Sequence, residues 1–230
     1  MINQKDAYGE TPLDNAYSNP YRVKDEIVAC MIKYEQDAKK KAEQDAKKKE
    51  EDERKRKEEE RKKKRSEMLR RWKRELRGKT SVDLKGKNLT DEDVLAIGEL
   101  LKTNNTLTYL SLYNNNITDV QSIGDGLKTN NTLETLTLNN NNITDVQSIG
   151  EGLKTNNTLT WLDLGNNNIT DDSGIQSIID GLKTNNTLTI LTLGNNQLSD
   201  NMKSQLNAIQ QYKRDGSNGY QQVKWMTISE

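Results

Sequence analysis

Two hydrophobic spacings alternate between residues 79 and 213. In each segment leucines first lie two residues apart, as Leu110 and Leu112 do, which is the spacing of a short half-buried strand. Apolar residues then follow three and four apart, as Val120, Ile123 and Leu127 do, which is the spacing of one helix face. The pattern therefore predicts a series of strand–helix units.

These units are copies of one another. Four full copies carry leucines, an asparagine and a final isoleucine or leucine at fixed positions, in residues 107–117, 133–143, 159–169 and 188–198. A degenerate first copy with Leu84 and Leu89 has Lys87 at the asparagine position. Successive copies are offset by 28, 26, 26 and 29 residues, which indicates a solenoid in which each unit packs only on its neighbours. Their strands must be parallel, because each connection crosses over through a helix.

The asparagine of each full copy lies just past the strand, where the backbone loses its strand partners. A buried amide at this point can donate hydrogen bonds to, and accept them from, backbone groups of its own and neighbouring turns. We therefore predict a structural asparagine ladder that consists of Asn115, Asn141, Asn167 and Asn196.

Residues 79–213 resemble a leucine-rich repeat domain of the ribonuclease-inhibitor-like type, because they contain these four copies in register. The resemblance implies an α/β solenoid with short parallel strands on the concave face and helices on the convex face. It also implies a scaffold that binds proteins and catalyses nothing. Two repeats have 26 residues, which is short for this type, so we expect their helices to be shorter by about half a turn.

Residues 1–34 resemble a single ankyrin repeat. Thr11 and Pro12 are the residue types that cap and begin a helix, and the apolar residues from Ile27 to Ile32 predict a second helix. One repeat cannot bury its own apolar face. We therefore interpret this segment as a vestigial or terminal repeat without a binding role.

No proline or glycine interrupts the chain from Asp25 to Leu76, which predicts a long α-helix before the solenoid. Residues 35–66 form a charged spacer within it. Residues 39–65 contain almost no apolar side chain, so a coiled-coil seam is missing. Acidic residues precede basic ones by four positions instead, as in Glu51 and Lys55, and this order stabilises an isolated helix.

An apolar helix face, within residues 67–78, precedes the first repeat, whose outer side no earlier repeat covers. This predicted cap consists of Met68, Leu69, Trp72 and Leu76. At the other end, Met202, Leu206 and Ile209 predict a helix that closes the last repeat. Residues 214–230 form a tail for which the pattern predicts no element.

The composition separates two halves of opposite charge. Residues 1–78 contain 24 Lys/Arg and 18 Asp/Glu, a net +6, and residues 79–230 contain 11 and 17, a net −6. The basic runs at 61–65 and 70–74 leave nucleic-acid binding as an alternative function, although acidic residues interleave most of the helix. Because no long apolar run or signal-peptide pattern is present, we expect a cytoplasmic protein that binds no membrane.

Histidine is absent and Cys30 is the only cysteine. We therefore expect no disulfide framework, no metal site and no cofactor. The usual nucleophile–histidine arrangements are excluded as well, so we predict that the chain is not an enzyme.

Outward strand positions, among them Ser111, form the predicted concave surface, and many of them are small. Aromatic residues are enriched at binding hot spots, which makes the exposed aromatics of this surface candidates. The predicted partner-binding residues are Tyr109, Tyr113, Trp161, Asp163 and Thr135. We expect a monomeric chain that binds an unidentified protein partner there. The alternatives are a mechanical spacer and, because a charged helix precedes such repeats, a cytoskeletal regulator similar to tropomodulin.

Overall fold

The chain folds as one long helix followed by short strands and helices in alternation. The computed structural model describes residues 20–170, 172–214 and 225–227. The helices are α1 (Pro20–Leu76), α2 (Asp91–Leu101), α3 (Gln121–Leu127), α4 (Gln147–Leu153), α5 (Asp172–Thr184) and α6 (Asp200–Arg214). The strands are β1 (Ser81–Asp83), β2 (Tyr109–Ser111), β3 (Thr135–Thr137), β4 (Trp161–Asp163), β5 (Ile190–Thr192) and β6 (Trp225–Thr227).

The six strands form one parallel sheet in chain order. The middle residue of a strand points into the core, and Leu110, Leu136, Leu162 and Leu191 are 0% exposed. The predicted leucine-rich repeat solenoid, with strands on the concave face and helices on the convex face, is confirmed. Strand β6 lies in the tail for which the sequence predicted no element. The other strands were predicted from a leucine motif that recurs in every repeat, and residues 225–227 (Trp-Met-Thr) do not carry it.

Helix length varies more than the sequence predicted. Helices α2 and α5 have 11 and 13 residues, whereas α3 and α4, in the two short repeats, have 7 each. This difference exceeds one turn of about 3.6 residues, so the expectation of half a turn was wrong. The cause lies at the helix starts, where Val120 and Val146 have ψ angles of 15° and 16°. Asp119 and Asp145 accept hydrogen bonds at 2.7 Å from backbone N–H groups two residues on, and these turns replace the first helical turn.

Adjacent helices approach until their backbones touch, because glycine lies at the contacts. A Cβ on Gly124 would lie 2.3 Å from the carbonyl carbon of Ser148, and a Cβ on Gly98 would lie 2.4 Å from that of Ser122. The second glycine of the helical Gly-x-Gly is equally tight, since a Cβ on Gly152 would lie 2.8 Å from the Gly124 oxygen. Only glycine fits these positions without moving a helix.

Helix α1 ends on the apolar core of the first repeat. Trp72 and Leu76 are 2% and 1% exposed and belong to the same core as Val82 and Leu89. The Trp72 indole Nε1–H donates a hydrogen bond of 3.0 Å to Asp93 Oδ1, which fixes the ring on α2. The buried end of the helix therefore covers the side of the repeat core that has no earlier neighbour.

Helix α6 lies at the other end of the repeats. Met202 and Leu206 are buried, and Ile209 packs against the core. Ser199 Oγ accepts a 3.4 Å hydrogen bond from the Met202 backbone N–H and so caps the start of the helix.

The chain divides into two compact units, Met1–Arg61 and Lys62–Glu230. In the first unit, α1 carries two of the predicted pairs, because the Lys55 and Lys57 Nζ atoms each lie 2.7 Å from the carboxylate four residues earlier. Val28, Met31 and Ile32, which belong to the ankyrin-like pattern, are 46%, 60% and 49% exposed on this helix. Residues 1–19 of that pattern lie outside the described residues.

Candidate functional site

Three columns of side chains cross the concave face of the sheet. Strand register sets the first two, and the third follows two residues further along each strand. The columns are Ser81, Tyr109, Thr135, Trp161 and Ile190; Asp83, Ser111, Thr137, Asp163 and Thr192; and Lys85, Tyr113, Asn139, Gly165 and Gly194. Neighbours within a column are about 4.8 Å apart, the spacing of paired strands.

Among the concave-face residues whose side chains the structure describes, Trp161 is the most exposed large apolar one, at 43% of its surface. Thr135 lies directly beside it on β3, and Tyr109 follows on β2, both partly buried. Tyr109 and Trp161 are therefore about 10 Å apart with a small residue between them. These three predicted residues form one row that a partner could contact together.

Tyr113 does not join this row. It lies four residues along the chain from Tyr109, roughly 13 Å away in an extended strand. Its hydroxyl accepts a hydrogen bond of 3.1 Å from Asn140 Nδ2, and Lys85 Nζ lies 4.6 Å from the centre of its ring. The Lys85 ammonium group therefore already makes a cation–π contact with this ring.

Asp163 is partly buried on the concave side of β4. Its Oδ1 accepts a hydrogen bond of 3.0 Å from the Gly165 backbone N–H. Burial raises the pKa of the Asp163 carboxyl above its ordinary value, and the hydrogen bond from Gly165 opposes that rise. The charged form is thus less favourable here than in water.

Ser111 points outward as predicted but is only 4% exposed. Its small side chain lies in register between Asp83 and Thr137, both of which carry larger side chains. Ser111 therefore contributes to the floor of the face and offers a partner little surface.

The asparagine column lies just behind the strands. Asn141 Nδ2 donates to the carbonyl oxygens of Leu112, Leu138 and Asn139 at 2.9–3.3 Å, and its Oδ1 accepts from Asn115 N–H and Ile117 N–H at 3.2 Å. Asn115, Asn167 and Asn196 make corresponding bonds to their own turn and to an adjacent one. The residue before each has φ between 50° and 56°, which asparagine tolerates better than most residues: Asn114, Asn140, Asn166 and Asn195.

Sequence reasoning missed a second asparagine column. Asn156 is 2% exposed, and its Nδ2 donates to the carbonyl oxygens of Leu127 and Asn130 at 2.9 Å. Its Oδ1 accepts from the backbone N–H groups of Thr158 and Leu159 at 3.1 and 2.8 Å. Asn130 and Asn185 make the same four bonds. The signal was the identical Lys-Thr-Asn-Asn-Thr turn, which begins at residues 102, 128, 154 and 183.

Neither metal chemistry nor a membrane span is evident in the described part of the chain. Within residues 20–170, 172–214 and 225–227, no three Cys, Asp or Glu side chains converge as metal ligands would. No helix among these residues is long and apolar enough to cross a bilayer.

Comparison with known families identifies the repeats. Residues 105–155 match a family described as leucine rich repeats (2 copies), and residues 158–182 match one described as leucine rich repeat. The chain therefore contains leucine-rich repeats. Comparison with curated proteins gives no match.

Two solved structures are similar to this chain. One is described as Leiomodin-1 actin-binding site 2; it is 28% identical, with a TM-score of 0.53, over 65% of this chain and 88% of that one. The other is an internalin from Listeria monocytogenes; it is 22% identical, with a TM-score of 0.34, over 56% of this chain and 38% of that one.

Proposed function

We propose that this chain is a non-enzymatic scaffold that binds a protein partner on the concave face of its leucine-rich repeats. The observation that carries the proposal is Trp161, a residue that is 43% exposed on a face of mostly small residues. An exposed tryptophan keeps a large apolar surface in water, and burying such a ring against a partner contributes strongly to affinity. Tyr109 and Thr135 extend the same row, and we include Asp163 beside it.

Two further observations support a scaffold. Leucine-rich repeats generally mediate contacts between proteins, and the sequence lacks histidine for the common nucleophilic mechanisms. The basic runs of α1 are weaker support for nucleic-acid binding, because acidic side chains lie among them along the same helix. We propose that the protein acts in the cytoplasm and as a monomer.

The test is quantitative capture from extract of the native cell, with three forms of the full-length chain as bait. Proteins enriched by the wild type should be lost with Trp161→Ala, since truncation of a hot-spot aromatic costs about 2 kcal/mol or more, roughly thirtyfold in affinity. The matched control is Tyr34→Ala, which removes another exposed aromatic ring, 77% exposed, on α1. Retention of every partner by Trp161→Ala would overturn the proposed surface.

A second candidate function is actin binding, which the similarity to Leiomodin-1 actin-binding site 2 favours. The similarity covers 88% of that structure and 65% of this chain, which is more than a single motif. The long α1 helix before the repeats also fits the alternative of a cytoskeletal regulator similar to tropomodulin. Co-sedimentation with filamentous actin and titration of labelled monomeric actin test this candidate directly. No binding in either assay at micromolar concentrations would reject actin and leave the scaffold proposal standing.

A further inference from the structure

Two strands of the concave face, β1 and β4, carry a carboxylate at the same position but with different neighbours. On β1, Asp83 Oδ1 accepts a 3.0 Å hydrogen bond from the Lys85 backbone N–H. The Lys85 side chain reaches across to the next strand, where its Nζ lies 4.6 Å from the centre of the Tyr113 ring. Carboxylate, ammonium and aromatic ring therefore occur together, and the chain supplies all three.

Asp163 occupies the corresponding position on β4 and makes the same 3.0 Å hydrogen bond, here from Gly165. Glycine stands where the first repeat has Lys85, and a Cβ there would lie 3.3 Å from Asp163 Oδ1. The neighbours of Gly165 in its column, Asn139 and Gly194, are uncharged. Among the described residues, no lysine or arginine forms an ion pair with Asp163.

Trp161 lies two residues before Asp163 on the same strand and the same face. Side chains at such positions are about 6.5 Å apart along the strand. A partly buried carboxylate without a cation is unfavourable, and its attraction for one is stronger than it would be in bulk water. The face of a tryptophan ring also attracts cations, and of the aromatic side chains it does so most strongly.

We propose that the concave face takes an arginine side chain of its protein partner, with the guanidinium stacked on Trp161 and hydrogen-bonded to Asp163. This inference rests on the proposed protein-binding function. Arginine fits better than lysine because its planar group can stack on a ring and donate two parallel hydrogen bonds at once. The net −6 of residues 79–230 favours the approach of a cationic segment.

The test uses the full-length ¹⁵N-labelled chain and N-acetyl-arginine methylamide as the probe. The Trp161 indole N–H and the Gly165 amide should shift and saturate in the millimolar range, as expected for a single side chain. N-acetyl-citrulline methylamide, which has nearly the same shape and no charge, should leave both signals in place. Equal affinity for the corresponding lysine derivative would overturn the choice of arginine.

Two variants of the chain test whether the arginine probe binds at Asp163. Asp163→Asn should weaken the binding of the arginine probe about tenfold, because a hydrogen bond to a charged group is lost. The matched control is Asp83→Asn, which removes the equivalent carboxylate beside Lys85 and should change the affinity less than twofold. Equal weakening by both variants would show general attraction to a negative surface and would overturn the proposal, as would saturation by the citrulline derivative.

The outcome is separable from that of the capture experiment. If Trp161→Ala abolishes capture but the arginine probe does not bind, the concave scaffold stands and the arginine assignment is wrong. If the probe binds but Trp161→Ala leaves capture unchanged, the cation site stands and the proposed partner surface is wrong.

Discussion

Truncation of Trp72 tests whether the end of α1 is part of the folded solenoid. Trp72→Ala removes a side chain that is only 2% exposed and leaves a cavity against the first repeat. Replacement of a buried tryptophan by alanine costs about 3–5 kcal/mol. The lost hydrogen bond from Nε1 to Asp93 adds less than its full value, because Asp93 keeps bonds from the Thr90 N–H and hydroxyl at 3.1 Å. We therefore expect about 4 kcal/mol in total.

The assay is urea unfolding followed by circular dichroism. With a slope of about 2 kcal/mol per molar urea for a domain of this size, 4 kcal/mol lowers the midpoint by about 2 M. Trp72→Phe keeps most of the ring and removes the hydrogen bond, so it should lower the midpoint by about 0.5–1 M. Amide hydrogen exchange should rise first in β1 and last in β5, because a solenoid loses stability from its uncovered end.

Two controls decide the interpretation. Lys73→Ala changes the next, exposed residue of the same helix and should leave the midpoint within about 0.3 M. Deletion of residues 1–61 removes the first unit and keeps the buried Trp72 and Leu76, so it should have a similarly small effect. If Trp72→Ala shifted the midpoint no more than Lys73→Ala did, the capping role would be refuted.

Two further predictions concern contacts that recur along the solenoid. Asn156→Ala removes four hydrogen bonds to backbone groups and should lower the free energy of unfolding in urea by about 3 kcal/mol or more. The control Asn157→Ala changes an exposed neighbour and should cost less than about 0.5 kcal/mol. Equal costs would contradict the structural role of the second asparagine column. Gly124→Ala would place a Cβ 2.3 Å from the carbonyl carbon of Ser148 and should lower the free energy of unfolding by about 3 kcal/mol or more. The control is Gly78→Ala, because Gly78 has a φ of +68° and no atom within 4 Å of the added Cβ; this change should cost about 1–2 kcal/mol. A smaller cost at Gly124 than at Gly78 would show that the helices can separate easily.

The architecture was predictable because one physical requirement repeats. Every unit must bury the same leucines against its neighbours, so the strand and helix spacings appear several times and reinforce one another. Helix length was less predictable, because it depends on one residue at each start. Val120 continues the apolar stripe of α3, but its backbone is outside helical geometry because Asp119 forms a turn with Gln121.

The second asparagine column shows a different limit. The turn Lys-Thr-Asn-Asn-Thr is polar, and polar turns are usually solvated, so its composition predicts exposure. Its identity in four copies was evidence of a constraint, but both asparagines repeat equally well. Asn156 is buried and Asn157 is exposed, and only the path of the backbone through the turn distinguishes them.

Some features of the candidate site could be predicted from the repeat pattern, and others could not. Column membership of Tyr109, Thr135 and Trp161 followed from the repeat register, because a residue one repeat later lies one strand further across the sheet. The contact between Tyr113 and Lys85 could not be predicted in the same way. The long Lys85 side chain can reach several neighbours, and its rotamer determines that it lies over the Tyr113 ring. The same reasoning applies to Asp163: its position could be read from the sequence, but its burial depends on Gly165, which has no side chain, and on Thr137 and Thr192 beside it. What Asp163 can bind is therefore decided by Gly165 in its own repeat together with threonines from the neighbouring ones, and the burial that these residues produce together could not be read from any one repeat.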